Sequence, residues 1–442
     1  MTTLAPRFLE LDRLDGEDRA ALLWRADQTI EPILEQVRPI VEAVRVEGDA
    51  ALRRFARELD GVTGPLDSLV ATEDEVGRAY AAVGPEIVEA IRFAIAGIRA
   101  FHERQKPEPM WLHEVRPGAF AGDRWTPVPS VALYVPRGKG AFPSVTMMTA
   151  VPAVVAGVPE ITILTPPTPE GGVDAATLVA AAEAGVKRVC KVGGAQAVAA
   201  AAFGTESVPR CAKIVGPGSP WVVAAKRLLA HRIDTGPPAG PSEAIVFADE
   251  TADPELAAVD LLIEAEHGPD SSAYLVTPSR RVAAGALAAL PRRWAELPEP
   301  RRSYTRAVLE GPRGGVLLAP TLEAAYAFVN AYAPEHLEVL SAEPWAHLGA
   351  LRNAAEILLG PFTPITLGNF VLGPNCVLPT GGWARSFGPL SVTDFMKRSS
   401  IGYVTAGAYP ALARPAMLLA EYEGFPAHAA ALRARGGAGE GR

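Results

Sequence analysis

From about residue 124 onward, short apolar runs rich in β-branched residues alternate with Ala-rich stretches of helical length, and few architectures accommodate that alternation. A strand that is apolar along its whole length needs cover on both faces, and helices between successive strands supply it. The chain is therefore expected to build parallel sheets flanked by helices. The expected strands are VALYV (131–135), EITIL (160–164), RVCKV (188–192) and AKIVG (212–216), then AIVFA (244–248), SAYLV (272–276), GVLLA (315–319) and EILLG (356–360). Helices are expected over 174–185, 195–203, 219–230 and 253–266.

Before residue 124 the periodicity is mainly helical, with apolar positions three and four apart through 30–57 and 74–103, and little sheet is expected there. TGPPAGPSE (235–243) is the best internal boundary, because five Pro or Gly residues in nine prevent regular structure. After Val392 the chain reads as helical, and its tail GGAGEGR as frayed.

A length of 442 residues and 49% hydrophobic content suit two or three domains with ample cores. Against 50 acidic residues stand 42 basic ones, and no Lys/Arg-rich run tracks a phosphate backbone, which argues against a nucleic-acid partner. The longest apolar stretch, Met147 to Val158, is broken by Thr149 and Pro152 and falls short of the roughly 20 residues a bilayer requires. The N-terminus has no continuous apolar segment of the secretory kind. Cys190, Cys211 and Cys376 are too scattered for a disulfide framework, and a cytoplasmic location is expected.

Two glycine-rich turns, KVGGAQAVAAAA (191–202) and KIVGPGSPWVVAAKR (213–227), sit where a strand gives way to a helix, a place suited to phosphate. Neither is G-x-G-x-x-G followed by an acid, so each also reads as a tight turn that binds nothing. Among seven histidines, three have suggestive neighbours. Glu264 and His267 would share a face if their helix persists, forming a two-ligand arm for a metal or a solvated pair. Glu335 and His336 follow a proline turn and suit an acid/base pair, though chance adjacency is the plain alternative. Glu423 and His428 flank a Gly-Phe-Pro break. His102, His113, His231 and His347 read as ordinary surface or boundary residues.

In this order the segments resemble the histidinol dehydrogenase family over about residues 30–435. The family signature reads here IDTGPPAGPSEAIVFADETADPELAAVDLLIEAEHGPDS, with further matches in KVGGAQAVAA, FGTESVP, KIVGPG, APEHLE, VLPTGGWAR, SVTDFMKR and EGFPAH. The resemblance implies an α/β fold of two incomplete Rossmann-like parallel-sheet domains with helical N- and C-terminal arms, exchanged in a homodimer with shared active sites. It implies an N-terminal arm (1–27), a first α/β domain carrying metal and catalytic residues (28–123 and 244–386), a second on the NAD side (124–243) and a C-terminal helical arm (387–442).

Position by position, the resemblance implies that His336 is the general base and Glu335 activates water. The family's zinc ligands, a Gln, a His, an Asp and a second His, fall on Glu264, His267, Asn369 and His428. Two differ, but as a pair: amide has become carboxylate and carboxylate amide, so the charge around a divalent ion is unchanged. NAD contacts map to Tyr134, Gln196 and, in place of an Asn, Ser219. Substrate contacts map to Ser242 and Glu423, the latter reaching across the dimer with His428. Cys376, in NCVLPT, replaces a family histidine beside the substrate's imidazole. YVPRG replaces the usual YxPGG and puts Arg137 near the mouth of the site.

The resemblance thus implies zinc-dependent oxidation of L-histidinol to L-histidine through the aldehyde, consuming two NAD; His336, unperturbed near pKa ~6.5, suits the role of base at neutral pH. One alternative is a same-family dehydrogenase for another small polar alcohol, such as a sulfonated propanediol paired with Arg137. The other is a non-catalytic paralogue that binds a metabolite.

Overall fold

The computed structural model describes residues 3–25, 30–137 and 140–436, so the frayed tail expected at 436–442 and Gly138 of YVPRG lie almost wholly outside the described residues. The chain forms two compact units, Met1–Lys106 with Val128–Phe395, and Pro107–Pro127 with Met396–Arg442. The strands are β1 (Phe8–Glu10), β2 (Met110–Arg116), β3 (Ala119–Pro127), β4 (Ser130–Tyr134), β5 (Glu160–Thr165), β6 (Arg188–Lys191), β7 (Lys213–Val215), β8 (Glu243–Ala248), β9 (Ser272–Thr277), β10 (Gly314–Leu318), β11 (His336–Leu340), β12 (Glu356–Leu359) and β13 (Met396–Val404).

In the first unit, a four-stranded sheet runs β6-β5-β4-β7 and a six-stranded sheet runs β1-β10-β9-β8-β11-β12, both parallel throughout. Alternate side chains of the larger sheet feed two different cores. Val246, Ala248, Leu275, Val316 and Leu318 pack with helices Pro254–Ala265 and Arg280–Ala295. Ile245, Phe247, Tyr274, Val276 and Leu317 face the other way, against helix Leu322–Tyr332 and Leu11 and Leu22. Burial on both faces is why these strands read as unbroken apolar runs.

The helices start and stop at recognisable residues. Asp174, Ser279 and Thr321 each accept a backbone N–H of the first turn, Thr72 and Glu75 form a reciprocal capping box, and Gly157 and Gly185 close their helices in the left-handed conformation. Helices Glu31–Glu47 and Asp49–Glu58, grouped above with residues 244–386, place Val37, Val41, Leu52 and Phe55 in the core of the four-stranded sheet instead, beside Tyr134, Ala197 and Val222. Their apolar stripes match the small-residue surface of the Ala-rich helix Gly194–Phe203, a match that periodicity alone does not reveal.

Both arms carry strand as well as helix. The N-terminal segment adds β1 to the edge of the larger sheet through β10, ahead of helix Gly16–Leu22. Its Arg25 is buried, 2.8 Å from Glu243 and stacked over the Tyr332 ring.

In the second unit, β13 and β2 flank β3 in an antiparallel sheet, accompanied by helices Tyr409–Tyr422 and Pro426–Gly436. The helical reading after Val392 is thus corrected at β13, and the little sheet expected before 124 consists of β1, β2 and the start of β3. β2 and β13 are largely exposed and β3 is mostly half-buried, and the pairing of β13 with β3 joins segments about 270–285 residues apart, so burial left no period-2 pattern to read. Among the described residues, no helix is long and apolar enough to cross a membrane.

Candidate active site

The first unit contains a cleft of about 670 Å³ between the ends of its two sheets. From the four-stranded sheet it takes the segments that follow β4 and β7, the carboxyl ends where parallel sheets ordinarily bind ligands. From the larger sheet it takes the opposite edge: Ser242 precedes β8, Glu335 precedes β11, and His336 is the first residue of β11. These candidate groups therefore lie where the chain enters the larger sheet, and a rigid strand follows each.

On the helix side, Glu264 occupies the last turn of Pro254–Ala265. The helix ends before His267, contrary to the shared helical face expected, but the turn that follows still brings His267 Nδ1 within 3.1 Å of Glu264 Oε2. Asn369, on helix Ile365–Phe370, donates its amide to Glu264 Oε1 at 2.9 Å. Burial pushes the Glu264 carboxyl up, but the charges of His267 and His336, with hydrogen bonds from Asn369 and Ser242, outweigh it and hold the group below the usual range. A carboxylate, an imidazole and an amide thus converge on the cleft, a borderline donor set that suits a divalent ion of the zinc type. Among the described residues no three His, Cys, Asp or Glu side chains form such a site by themselves, so this one depends on Asn369 or on donors from elsewhere.

Glu335 is buried and accepts the backbone N–H of Glu243 at 2.8 Å. Burial, with the like charge of Glu264, raises its pKa well above the ordinary carboxyl value, against the pull of His336. His336 departs from the unperturbed value expected. Burial disfavours the imidazolium, but the Glu335 charge and a hydrogen bond with Glu356 win, and the ring is pushed up to about 9. The Glu356 contact is 2.8 Å from Nδ1, and Nε2 lies 3.9 Å from Glu335. Glu356 was not singled out from the sequence, where it only heads an apolar strand; parallel register alone aligns it with His336.

Cys376 lines the cleft, and burial together with the carboxylates Glu356, Glu335 and Glu264 keeps its thiol protonated. Its loop is held by the buried Asn375, which accepts the Val377 N–H at 2.9 Å. Arg137 lines the cleft and donates to the Pro167 carbonyl at 3.1 Å.

On the four-stranded side, Ser219 lines the cleft as the N-cap of helix Pro220–Leu229, with its side chain making no capping bond. Gly216 (φ 116°) allows that turn: a Cβ there would stand 2.1 Å from the Tyr134 carbonyl oxygen. Tyr134 and Gln196 are buried rather than among the described cleft-lining residues. The Tyr134 hydroxyl accepts the Gly194 N–H at 3.1 Å, and Gln196 Nε2 donates to Asp60 at 3.1 Å. Gln196 Oε1 is buried without a hydrogen-bond partner among the described residues, an open acceptor at a helix N-terminus that fits a polar nucleotide cofactor.

Glu423 and His428 belong to the second unit, Glu423 ending helix Tyr409–Tyr422 and His428 lying near the start of Pro426–Gly436, both exposed. Two of the histidines read as ordinary surface or boundary residues, His102 and His347, are buried. His102 is 2.8 Å from Gln105, and His347 is bonded to Tyr326, Asp249 and Ser341. Their partners are distant in sequence or masked by unremarkable spacing.

A sequence profile of the family described as Histidinol dehydrogenase matches residues 23–436. The chain is 65% identical over 421 residues, 95% of its length and 96% of the other's, to a protein named Histidinol dehydrogenase homolog 2 from Mesorhizobium japonicum. It is 47% identical over 429 residues, 97% of this chain and 99% of the relative, to a protein named Histidinol dehydrogenase from Synechocystis. The crystal structure of histidinol dehydrogenase from Elizabethkingia anophelis matches with a TM-score of 0.92 at 31% identity, covering 98% of this chain and 99% of that one.

Proposed function

This chain belongs to the histidinol dehydrogenase family of oxidoreductases, and on that premise we propose that it oxidises L-histidinol to L-histidine through the aldehyde, using zinc and two NAD in succession. The observation that carries the reading is the convergence of Glu335, His336, Glu264, His267 and Asn369 on one cleft. Glu264, His267 and Asn369 would hold the cation, which when bound orients the alcohol and acidifies its hydroxyl. Gln196, Tyr134 and Ser219 would hold NAD, which when bound accepts the hydride. Glu423 and His428 are assigned to the site of a second copy, in an arm-exchanged homodimer.

His336 Nε2 takes the hydroxyl proton as hydride leaves the carbinol carbon, giving the aldehyde. Glu335 then draws a proton from a water that adds to the carbonyl, and a second hydride transfer yields the acid. Ser242, bonded to Glu264, orients the substrate from the amino edge of β8. Because a base must be neutral to accept a proton, the raised pKa of His336 makes the first oxidation faster as pH rises through neutrality.

A second reading is favoured by one observation. Cys376 places a protonated thiol in the cleft where the resemblance expects an imidazole partner. A thiol is a weak hydrogen-bond donor, which suits another small polar alcohol, such as a sulfonated propanediol facing Arg137. NAD reduction measured with L-histidinol and with the sulfonated diol tests both: turnover of the first alone supports the first reading, and turnover of the second alone overturns it.

A further inference from the structure

The base His336 is held by a carboxyl group that the reaction as described does not use. Parallel register sets Glu356, the first residue of β12, beside His336, the first residue of β11. Glu356 Oε2 lies 2.8 Å from His336 Nδ1, and the two side chains are only 5% and 3% exposed. A carboxylate oxygen can only accept, so Nδ1 carries the proton in this pair and Nε2 is the nitrogen left to take another.

The protein leaves space for this contact and tolerates a cost to keep it. A Cβ on Gly368, in helix Ile365–Phe370, would stand 2.7 Å from Glu356 Oε1 and 3.0 Å from Oε2, so glycine leaves the carboxyl group its present position and a larger residue would displace it. Glu356 Oε1 is buried without a hydrogen-bond partner among the described residues. A side chain retained only for packing has no reason to bury such an oxygen, since an apolar residue of similar volume fills the space without desolvating it.

We propose that Glu356 is a positioning residue for the oxidation: it locks His336 in the Nδ1–H tautomer and in the orientation that leaves Nε2 free to accept the substrate's hydroxyl proton. This rests on the reading of His336 as the base. The other groups that act on the ring are Glu335 beside it and Glu264 from the helix Pro254–Ala265; neither is placed on Nδ1.

The test combines kinetics with imidazole 15N NMR on the full-length protein, using L-histidinol and NAD as probes and assigning the His336 signal by its loss in His336→Gln. In the wild type, Nδ1 is expected to remain protonated while Nε2 titrates. Glu356→Ala should move the neutral ring towards a mixture of tautomers and lower kcat by about tenfold or more, with KM for both probes within about threefold. Glu356→Gln keeps an acceptor oxygen and should restore most of kcat, and it serves in place of the alanine variant if truncation unfolds the protein. Nitrogen shifts and kcat unchanged in both variants, while His336→Ala is inactive, would overturn the proposal. Near wild-type turnover in His336→Ala would instead overturn the base assignment. Because the nitrogen shifts need no substrate, they decide the tautomer whichever alcohol is oxidised.

Discussion

The amide of Asn369 donates to the carboxylate of Glu264 at 2.9 Å. These are the two positions where the ligand set implied by the resemblance differs from the family's, and their direct contact is consistent with the two departures coming as a pair. Exchanging amide for carboxylate at both ends preserves one donor, one anion and the bond between them. Changing one end alone yields either two carboxylates in contact or two neutral amides.

We therefore expect Glu264→Gln with Asn369→Asp to retain zinc and activity, while Asn369→Asp alone loses at least tenfold in metal affinity. Zinc content by elemental analysis and a double-mutant cycle on chelator-competed affinity measure this. Additive single-site effects would show that the two positions are independent. Less than a tenth of an equivalent of zinc in the wild type, with activity indifferent to chelators, would remove the metal from the reaction.

Truncating the base should be severe and truncating its neighbour selective. His336→Ala is expected to reduce alcohol oxidation by about 10²-fold or more. Glu335→Ala should spare alcohol-to-aldehyde oxidation more than aldehyde-to-acid oxidation, seen by supplying each substrate separately. In the wild type the first oxidation should accelerate between pH 7 and 9, following the neutral fraction of His336. A rate already flat from pH 6 would mean that another group limits it.

Cys376→His restores a hydrogen-bonding ring at the cleft wall. If L-histidinol is the substrate, kcat/KM should improve about tenfold, the gain for one good hydrogen bond of ~1.4 kcal/mol in the transition state. If a sulfonated diol drives NAD reduction instead, Arg137→Ala should abolish that activity while leaving the melting temperature near its wild-type value. Persistence of diol oxidation in the Arg137 variant would release that residue from substrate recognition.

Asp60, bonded to Gln196, supplies a stability prediction. Burial raises it from 3.8 to about 6, although Gln196 and Arg137 oppose the shift. The folded state therefore binds the proton more tightly than the unfolded chain, and stability falls as pH rises from about 4 to about 6. Asp60→Asn should remove that fall and stabilise the protein at pH 7.5, by at most about 3 kcal/mol. Urea unfolding midpoints at pH 4.5 and 7.5 measure it; an identical pH dependence in the variant would show that Asp60 does not titrate in this window.

The eight expected strands all formed within a residue or two of their bounds because each is buried on both faces and so carries its own apolar run. β11 was overlooked as a strand for the same reason that its head was singled out for chemistry: Glu335, His336 and Glu338 break its hydrophobicity. β2, β3 and β13 left no such trace, since none is buried along both faces and antiparallel strands of this kind are defined by their partners.

Glu335, His336, Glu264 and His267 were legible as local pairs, and family resemblance added Asn369, Ser242 and Cys376. Sequence alone thus determined which acid–imidazole pairs stand side by side and which segments would become parallel strands, because local spacing and burial on both faces leave marks within a short window. Only the tertiary structure decided that Glu356 holds His336, that Gly368 makes room for it, and that helices Glu31–Glu47 and Asp49–Glu58 serve the smaller sheet. Each of these depends on strand register or packing between distant segments, and neither is encoded within any window of consecutive residues.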